Sequence, residues 1–138
     1  MIQWVFTSRR PIFNNKKIKM DLGQFSISLP VKNMEASLDF YKKLGFSVID
    51  GGHMNEGFPD SDTTSWRILQ SGNSVVGLFQ GMFEERIMTF NPEDVRAIQS
   101  HLKSEGVSLI KEADETTEGP EHIILMDPDG NQIMLDQH

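Results

Sequence analysis

Hydrophobic and polar residues alternate over Phe25–Leu29, with Ile27 and Leu29 on one side and Ser26 and Ser28 on the other. A period of two residues is typical of a strand with one buried face. The pattern therefore predicts that the chain's first strand separates an apolar face from a face that carries hydroxyl groups.

The period then changes to that of a helix. Asn33 is a good N-cap, and Met34, Leu38 and Tyr41 recur at helical spacing up to Gly45. Glycine readily takes the left-handed conformation that ends many helices. We expect an amphipathic helix between Asn33 and Gly45.

This strand and helix are followed by a second copy, which begins at Ile87. Matching positions in the two copies differ by a constant 61 residues: Ser26 and Ile87, Leu29 and Phe90, Asn33 and Asp94, Ala36 and Ala97, Tyr41 and Leu102, Gly45 and Gly106. The repeat predicts one supersecondary unit used twice, with Val95, Ile98 and Leu102 on the second helix.

Short apolar runs complete each unit as three further strands. They are Phe46–Ile49, Ser65–Leu69 and Ser74–Phe79 in the first unit, and Val107–Ile110, Ile123–Met126 and Gln132–Leu135 in the second. The predicted order of elements in each unit is therefore βαβββ, and the predicted fold class is α+β. Two polar loops, Gly51–Thr64 and Lys111–Gly119, stand at matching places, where loops often border a cleft.

Length and composition favour one domain. A chain of 138 residues can bury a substantial core, and the absence of cysteine excludes disulfides and thiolate chemistry. We expect residues 1–21 to be a poorly ordered or non-native extension, with Met20 as an alternative start to Met1. Residues 22–138 form the domain, with its modules at about 22–82 and 83–138.

The charge is unevenly distributed. Five basic residues and no acidic residue fall within residues 1–20, so the remaining 8 basic and 20 acidic residues leave the rest of the chain at −12. An acidic body repels phosphate backbones, which argues against a nucleic-acid partner. No apolar stretch approaches the roughly 20 residues of a membrane span. We expect a cytoplasmic protein without a membrane partner.

Two motifs carry a family resemblance. They are Val31-Lys32-Asn33 followed by Phe40-Tyr41-Lys42-Lys43-Leu44-Gly45-Phe46, and Asp127-Pro128-Asp129-Gly130-Asn131-Gln132-Ile133-Met134. With them the chain resembles the vicinal oxygen chelate superfamily, which includes glyoxalase I, extradiol dioxygenases, and bleomycin and fosfomycin resistance proteins. The resemblance implies two βαβββ modules that form an open, cup-shaped mixed sheet with helices outside, and a homodimer.

Members of that superfamily that catalyse reactions usually bind a divalent metal through His, Gln or Glu on the first and last strand of each module. The matching positions here are Ser26, Gly77, Ile87 and Met134. Divalent metals of this kind prefer carboxylate, imidazole or amide ligands. We therefore expect no metal at this site, and no other cofactor.

Strand alternation predicts which side chains face the cup instead. Candidates for ligand binding are Ser26, Ser28, Gly77, Phe79, Ile87, Thr89, Gln132, Met134 and Asp136. Trp66, Phe79 and Phe83 can form an aromatic wall for a planar or cationic ligand. Hydroxyls with apolar walls suit a small organic molecule; the alternative is that these side chains simply fill the cup.

The leading interpretation is metal-independent binding of a small organic molecule, as in the drug-binding members that the chain resembles. The alternative is a glyoxalase-like lyase or isomerase, or a dioxygenase-related enzyme. Catalysis by such an enzyme would depend on Asp136, on His122, which adjoins Glu121, or on a metal held by loop residues such as His53 and Glu56. A purely structural or interaction module is a third class.

Overall fold

The computed structural model describes residues 20–138, so the predicted extension over residues 1–21 lies outside it except for its last two residues. The first module contains β1 (Gln24–Pro30), α1 (Met34–Lys43), β2 (Ser47–Gly51), β3 (Ser65–Ser71) and β4 (Ser74–Gln80). The second contains β5 (Ile87–Asn91), α2 (Val95–Ser104), β6 (Glu121–Met126) and β7 (Gln132–Gln137).

The seven strands form one open mixed sheet in the order β2-β3-β4-β1-β5-β7-β6. Within each module the first strand pairs in parallel with the last, β1 with β4 and β5 with β7. The modules join through the antiparallel pair β1–β5 at the centre. The predicted α+β class is confirmed.

The predicted strand Val107–Ile110 is wrong. This segment is irregular, and only an isolated bridge between Lys111 and Ile124 attaches it to β6. Few backbone groups of this segment pair with β6, so the segment does not hold the Ile110 side chain against the core. Ile110 is 60% exposed. The second module is therefore βαββ with a bridge in place of a strand.

Both helices begin and end as the sequence predicts. The side chains of Asn33 and Asp94 accept hydrogen bonds from the third backbone N–H beyond them, and Gly45 and Gly106 follow the helices with φ of +99° and +82°. Each helix has ten residues, and within residues 20–138 no helix is long and apolar enough to cross a membrane.

A glutamine at the end of each module's last strand holds the start of that module's helix. Gln80 Oε1 accepts a hydrogen bond from the Met34 backbone N–H at 2.8 Å, and Gln137 Oε1 accepts one from the Val95 N–H at 2.9 Å. These bonds satisfy N–H groups that a helix leaves free. The last strand of each module, which also borders the site, is thereby fixed against its helix.

Two apolar clusters occupy the face of the sheet against which the helices pack. The first is centred on Met34, Leu69, Val76 and Leu78, and the second on Val95, Ile98, Ile123 and Leu135. Since side chains alternate along a strand, the other face of the central strands carries Ser26, Ser28, Ile87 and Thr89. We call this second face the cup face.

Candidate functional site

A cavity of about 630 Å³ opens on the cup face. Both modules line it, because its walls include Trp66 and Phe79 from the first module and Thr89 and Asp136 from the second. The volume falls within the range typical of pockets for small organic ligands. Part of the cup is therefore open space, and side chains do not fill it completely.

Three hydroxyl groups lie in the centre of this cavity. Ser26, Ser28 and Thr89 are each more than 90% buried and line the cavity. Ser28 Oγ and Thr89 Oγ1 form a hydrogen bond of 2.8 Å across the two modules. The Ser26 hydroxyl forms no hydrogen bond with any residue in the described part of the chain, so it is free to bind a group in the cavity.

Aromatic rings form one wall. Phe58 and Trp66 stack with 5.8 Å between ring centroids, and Trp66 and Phe79 stack at 6.3 Å. The ring of Phe83, which the sequence also placed in this wall, packs 5.2 Å from Phe79 but lies outside the lining. The Trp66 Nε1–H donates a hydrogen bond to the Phe58 backbone oxygen at 2.8 Å, which fixes the indole against the β2–β3 loop. The wall is therefore a preformed apolar surface.

Gly77 makes room for this wall. A Cβ atom at Gly77 would lie 2.7 Å from a ring carbon of Phe79 and 3.3 Å from the Ile68 side chain. The Phe79 ring thus occupies the space that a ligating side chain at position 77 would need. Glycine at position 77 therefore both lacks a ligating side chain and leaves room for an aromatic ring.

The opposite wall carries a carboxylate. Asp136 lines the cavity from β7, and its Oδ2 lies 3.5 Å from Nε2 of His138. Asn91 donates a hydrogen bond of 2.9 Å to the Asp136 backbone oxygen, and its Nδ2 lies 3.2 Å from His138 Nε2. The His138 side chain is 74% exposed, so the partner of Asp136 is a solvent-facing imidazole that a ligand can displace.

Pseudosymmetry relates the two walls. In the first module Gly77 of β4 pairs with Ser28 of β1, and in the second Met134 of β7 pairs with Thr89 of β5. Matching positions of the last strands β4 and β7 therefore differ by 57 residues. The same offset relates Phe79 to Asp136. The pair Trp66–Phe79 in the first module therefore corresponds to the pair His122–Asp136 in the second.

Five of the sequence-predicted ligand residues line the cavity: Ser26, Ser28, Phe79, Thr89 and Asp136. Gly77 lies behind Phe79. The other three, Ile87, Gln132 and Met134, lie on the cup-face strands β5 and β7 outside the lining.

The catalytic candidate His122 also lies outside the lining, although it pairs with Asp136 across the strands. Its Nδ1 lies 4.0 Å from Glu121 Oε1, which is beyond hydrogen-bond distance. The structure brings Asp136 together with His138 instead. The strand patterns do not predict Phe58, Asn91 or His138 as site residues, because Phe58 and His138 lie outside the strands and Asn91 is the last residue of β5.

The residues at the superfamily's usual metal positions do not fit a divalent ion. Ser26, Gly77, Ile87 and Met134 offer one neutral hydroxyl, no side chain, one alkyl group and one thioether. Hard and borderline divalent ions prefer carboxylate, imidazole or amide ligands. Among residues 20–138 no group of three or more His, Cys, Asp or Glu side chains could hold a metal ion. We derive no step through a metal.

An ion pair supports the rim of the cavity. Lys111 Nζ donates to Glu121 Oε1 at 2.8 Å, and the Asp114 backbone N–H donates to Glu121 Oε2 at 3.0 Å. The Lys111 bond, with backbone N–H groups of Asp114 and His122, lowers the pKa of Glu121 from 4.5 to about 2. These bonds tie down the loop that ends at Pro120, which lines the cavity.

The fold and site can now be compared with known proteins. The model of the Glyoxalase/Bleomycin resistance protein/Dioxygenase superfamily matches residues 23–135. The chain belongs to this superfamily, which confirms the resemblance seen in its motifs. A search of curated proteins gives no match.

Solved structures share the fold. Methylmalonyl-CoA epimerase from Mycobacterium tuberculosis matches with a TM-score of 0.60 and 15% identity, over 88% of this chain and 92% of that one. The Streptomyces coelicolor epimerase, solved with 2-nitronate-propionyl-CoA, has a TM-score of 0.59 and 18% identity, over 85% and 98%. A superfamily member from Vibrio splendidus 12B01 has a TM-score of 0.55 and 15% identity, over 83% and 97%. At such identities the likeness shows the fold alone.

Proposed function

We propose that this protein binds a small organic molecule in the cup-face cavity without a metal ion. The observation that carries the proposal is a cavity of about 630 Å³ that combines a preformed aromatic wall with the buried hydroxyl of Ser26, which has no hydrogen-bond partner among residues 20–138. Apolar walls with a few oriented polar groups are typical of small-molecule sites.

Ser26 supports a binding role because an unpaired buried hydroxyl is costly. Leaving a buried polar group without a partner costs about 1–3 kcal/mol. Ser28 and Thr89, on the same face, avoid this cost by bonding each other. A ligand with a hydrogen-bonding group at Ser26 recovers that energy, and the hydroxyl then also orients the ligand.

The aromatic wall supports the same role. Phe58 is 50% exposed although it stacks on Trp66, so one end of the wall remains accessible to an incoming molecule. Aromatic side chains supply large contact areas at low cost in side-chain entropy. The wall therefore provides most of the apolar contact that binding requires.

The test is a fragment screen by two-dimensional ¹H–¹⁵N NMR in buffer that contains EDTA. The chain has two tryptophans, Trp4 and Trp66. A Trp4→Phe variant leaves Trp66 as the single indole, so its N–H signal reports directly on the cavity. We expect hits that shift the Trp66 indole signal and raise the melting temperature, with affinities unchanged by EDTA.

A matched pair of variants locates the binding. Ser26→Ala should weaken these hits, while Ser108→Ala, in the irregular segment after α2, should leave their affinities unchanged. Hits that require an added divalent metal, or a complete lack of hits that move the Trp66 signal, would contradict the proposal.

A further inference from the structure

We infer that the cavity selects an organic cation, with the carboxylate of Asp136 as counter-ion and the aromatic wall as the contact for the ligand's apolar part. This inference rests on the proposed function, since it names the class of molecule that the same cavity binds. Its basis is the charge of the lining and the arrangement of the two walls.

The charged groups of the lining have one sign. Asp50 and Asp136 both line the cavity, and the lining includes no lysine or arginine from residues 20–138. Among the described residues that line the cavity, the other titratable side chain is that of His138. A positively charged ligand is therefore attracted, and a negatively charged ligand meets two carboxylates without a compensating cation.

The nearby basic side chains are already paired. Arg67 Nη1 lies 2.9 Å from Asp60 Oδ2, and Lys111 Nζ lies 2.8 Å from Glu121 Oε1. Both pairs are more than half buried, so neither cation is available to neutralise the lining at little cost. The negative potential of the cavity therefore remains uncompensated by these residues.

Of the two carboxylates, Asp136 is the better counter-ion. Asp50 accepts a hydrogen bond at 2.8 Å from the Gly51 backbone N–H and lies 3.4 Å from Asn55 Nδ2, so both of its oxygens have partners. Within the described part of the chain, the partner of the Asp136 carboxylate is the exposed His138 alone, at 3.5 Å. A cation can displace this imidazole and approach the carboxylate directly.

The pseudosymmetry places the two recognition elements on opposite modules. Phe79 and Asp136 occupy matching positions of β4 and β7, and both line the cavity. A molecule that spans the cavity thus meets rings at one end and a carboxylate at the other. A planar or apolar body with a protonated amine fits this arrangement, and the rings can add a cation–π contribution.

Acyl-CoA is the opposite kind of ligand. The Streptomyces coelicolor neighbour was solved with 2-nitronate-propionyl-CoA, whose CoA part carries several phosphate charges. Phosphate groups are usually held by arginine, lysine or helix N-termini. The lining described here provides two carboxylates in their place, so the shared fold does not bring that ligand with it.

The test uses three probes that share a naphthalene ring system and differ in charge: the cation of 1-naphthylmethylamine, the neutral 1-naphthalenemethanol and the carboxylate anion 1-naphthaleneacetate. Dissociation constants come from NMR titrations that follow the Trp66 indole signal in the full-length Trp4→Phe protein. We expect the amine to bind about three- to fivefold more tightly than the alcohol at low salt, as for a partly exposed ion pair. The acetate should bind most weakly.

Two variants with the same loss of charge separate Asp136 from general electrostatics. Asp136→Asn should reduce the affinity of the amine to that of the alcohol, which itself should bind as before. Asp129→Asn, in the exposed β6–β7 turn at the other end of β7, should leave the preference for the amine unchanged. Added salt should weaken only the amine.

The outcomes distinguish this inference from the function on which it rests. If all three probes bind equally, or the acetate binds best, the inference is overturned while binding in the cavity stands. If the preference for the amine persists in Asp136→Asn, the assignment of Asp136 is overturned. If neither these probes nor any fragment moves the Trp66 signal, the proposed function fails as well.

Discussion

At the scale of single residues, Ser26 and Ser28 are similar in burial and differ in bonding. Ser28→Ala removes the 2.8 Å hydrogen bond to Thr89 and leaves the buried Thr89 hydroxyl with only a long bond of 3.5 Å to the Ile87 backbone oxygen, so it should reduce the free energy of unfolding by about 1–2 kcal/mol. Ser26→Ala removes a hydroxyl that has no partner in the described structure, so it should leave the stability equal or slightly higher. Urea unfolding of both variants measures the difference.

The comparison is well controlled because the two serines lie on the same strand, on the same face and at nearly the same exposure, 7% and 5%. Equal destabilisation by both substitutions would show that Ser26 has a bond in the folded protein that the structure does not reveal. In that case the hydroxyl would no longer support ligand binding.

Some site residues follow from the sequence, and others do not. Alternation along β1, β4, β5 and β7 suffices to place Ser26, Phe79 and Asp136 on the cup face, because side chains alternate strictly along a strand. Phe58 lies in an irregular loop with no such period. Gly77 has a clear position in its strand, but its role depends on the Phe79 ring that lies over it, which only the three-dimensional structure shows.

At the scale of elements, the loop between α2 and β6 is held by side chains rather than by sheet pairing. Arg96 donates hydrogen bonds to the backbone oxygens of Asp114 and Gly119, at 2.8 and 2.9 Å. The buried Gln99 side chain bonds both backbone groups of Ala113. The sequence predicted a strand here because Val107–Ile110 is mostly apolar and has a β-branched residue at each end, but local propensity does not decide whether a partner strand is within reach.

Glu121 is the carboxylate that links this loop to β6, and its lowered pKa makes the link sensitive to pH. Its pKa is 4.5 in an ordinary setting and about 2 in the folded protein. Between these values the unfolded chain binds more protons than the folded chain. The stability that Glu121 contributes is therefore complete above about pH 4.5 and is lost as the pH falls toward 2.

Glu121→Gln should accordingly lower the melting temperature at neutral pH, and the difference from the parent protein should shrink as the pH falls from about 4.5 toward 2. Thermal unfolding followed by circular dichroism over this range measures it. Glu118→Gln, an exposed change in the same loop, is the control and should show little difference at any pH. A gap between parent and Glu121→Gln that stays constant with pH would contradict the assignment.

At the scale of the whole molecule, the repeat at an offset of 61 residues was enough to predict the tandem architecture. The offset is 61 between β1 and β5 and 57 between β4 and β7, so the second module is shorter by four residues between its helix and its last strand. The offset is still 61 between Asp50, which pairs with Ile68, and Lys111, which bridges to Ile124, so the shortening falls in the loop that follows Lys111. A constant offset in the first half of a repeat therefore does not guarantee the same elements in the second half.

The homodimer remains a prediction, and the surface of the sheet gives it a physical basis. The sheet is open, so its edge strands β2 and β6 leave backbone groups unpaired on their outer sides. Met126 on β6 is 49% exposed, and Phe40 on α1 is 58% exposed. Contact with a second copy would remove such surfaces from water.

We therefore expect a solution mass of twice the 15.7 kDa of one chain, measured by size-exclusion chromatography with light scattering over a range of concentrations. Hydrogen exchange at the highest and lowest concentrations would then show which edge gains protection on association. A mass of 15.7 kDa at every concentration would contradict the dimer. It would leave the cavity unaffected, because a single chain supplies both the aromatic wall and Asp136.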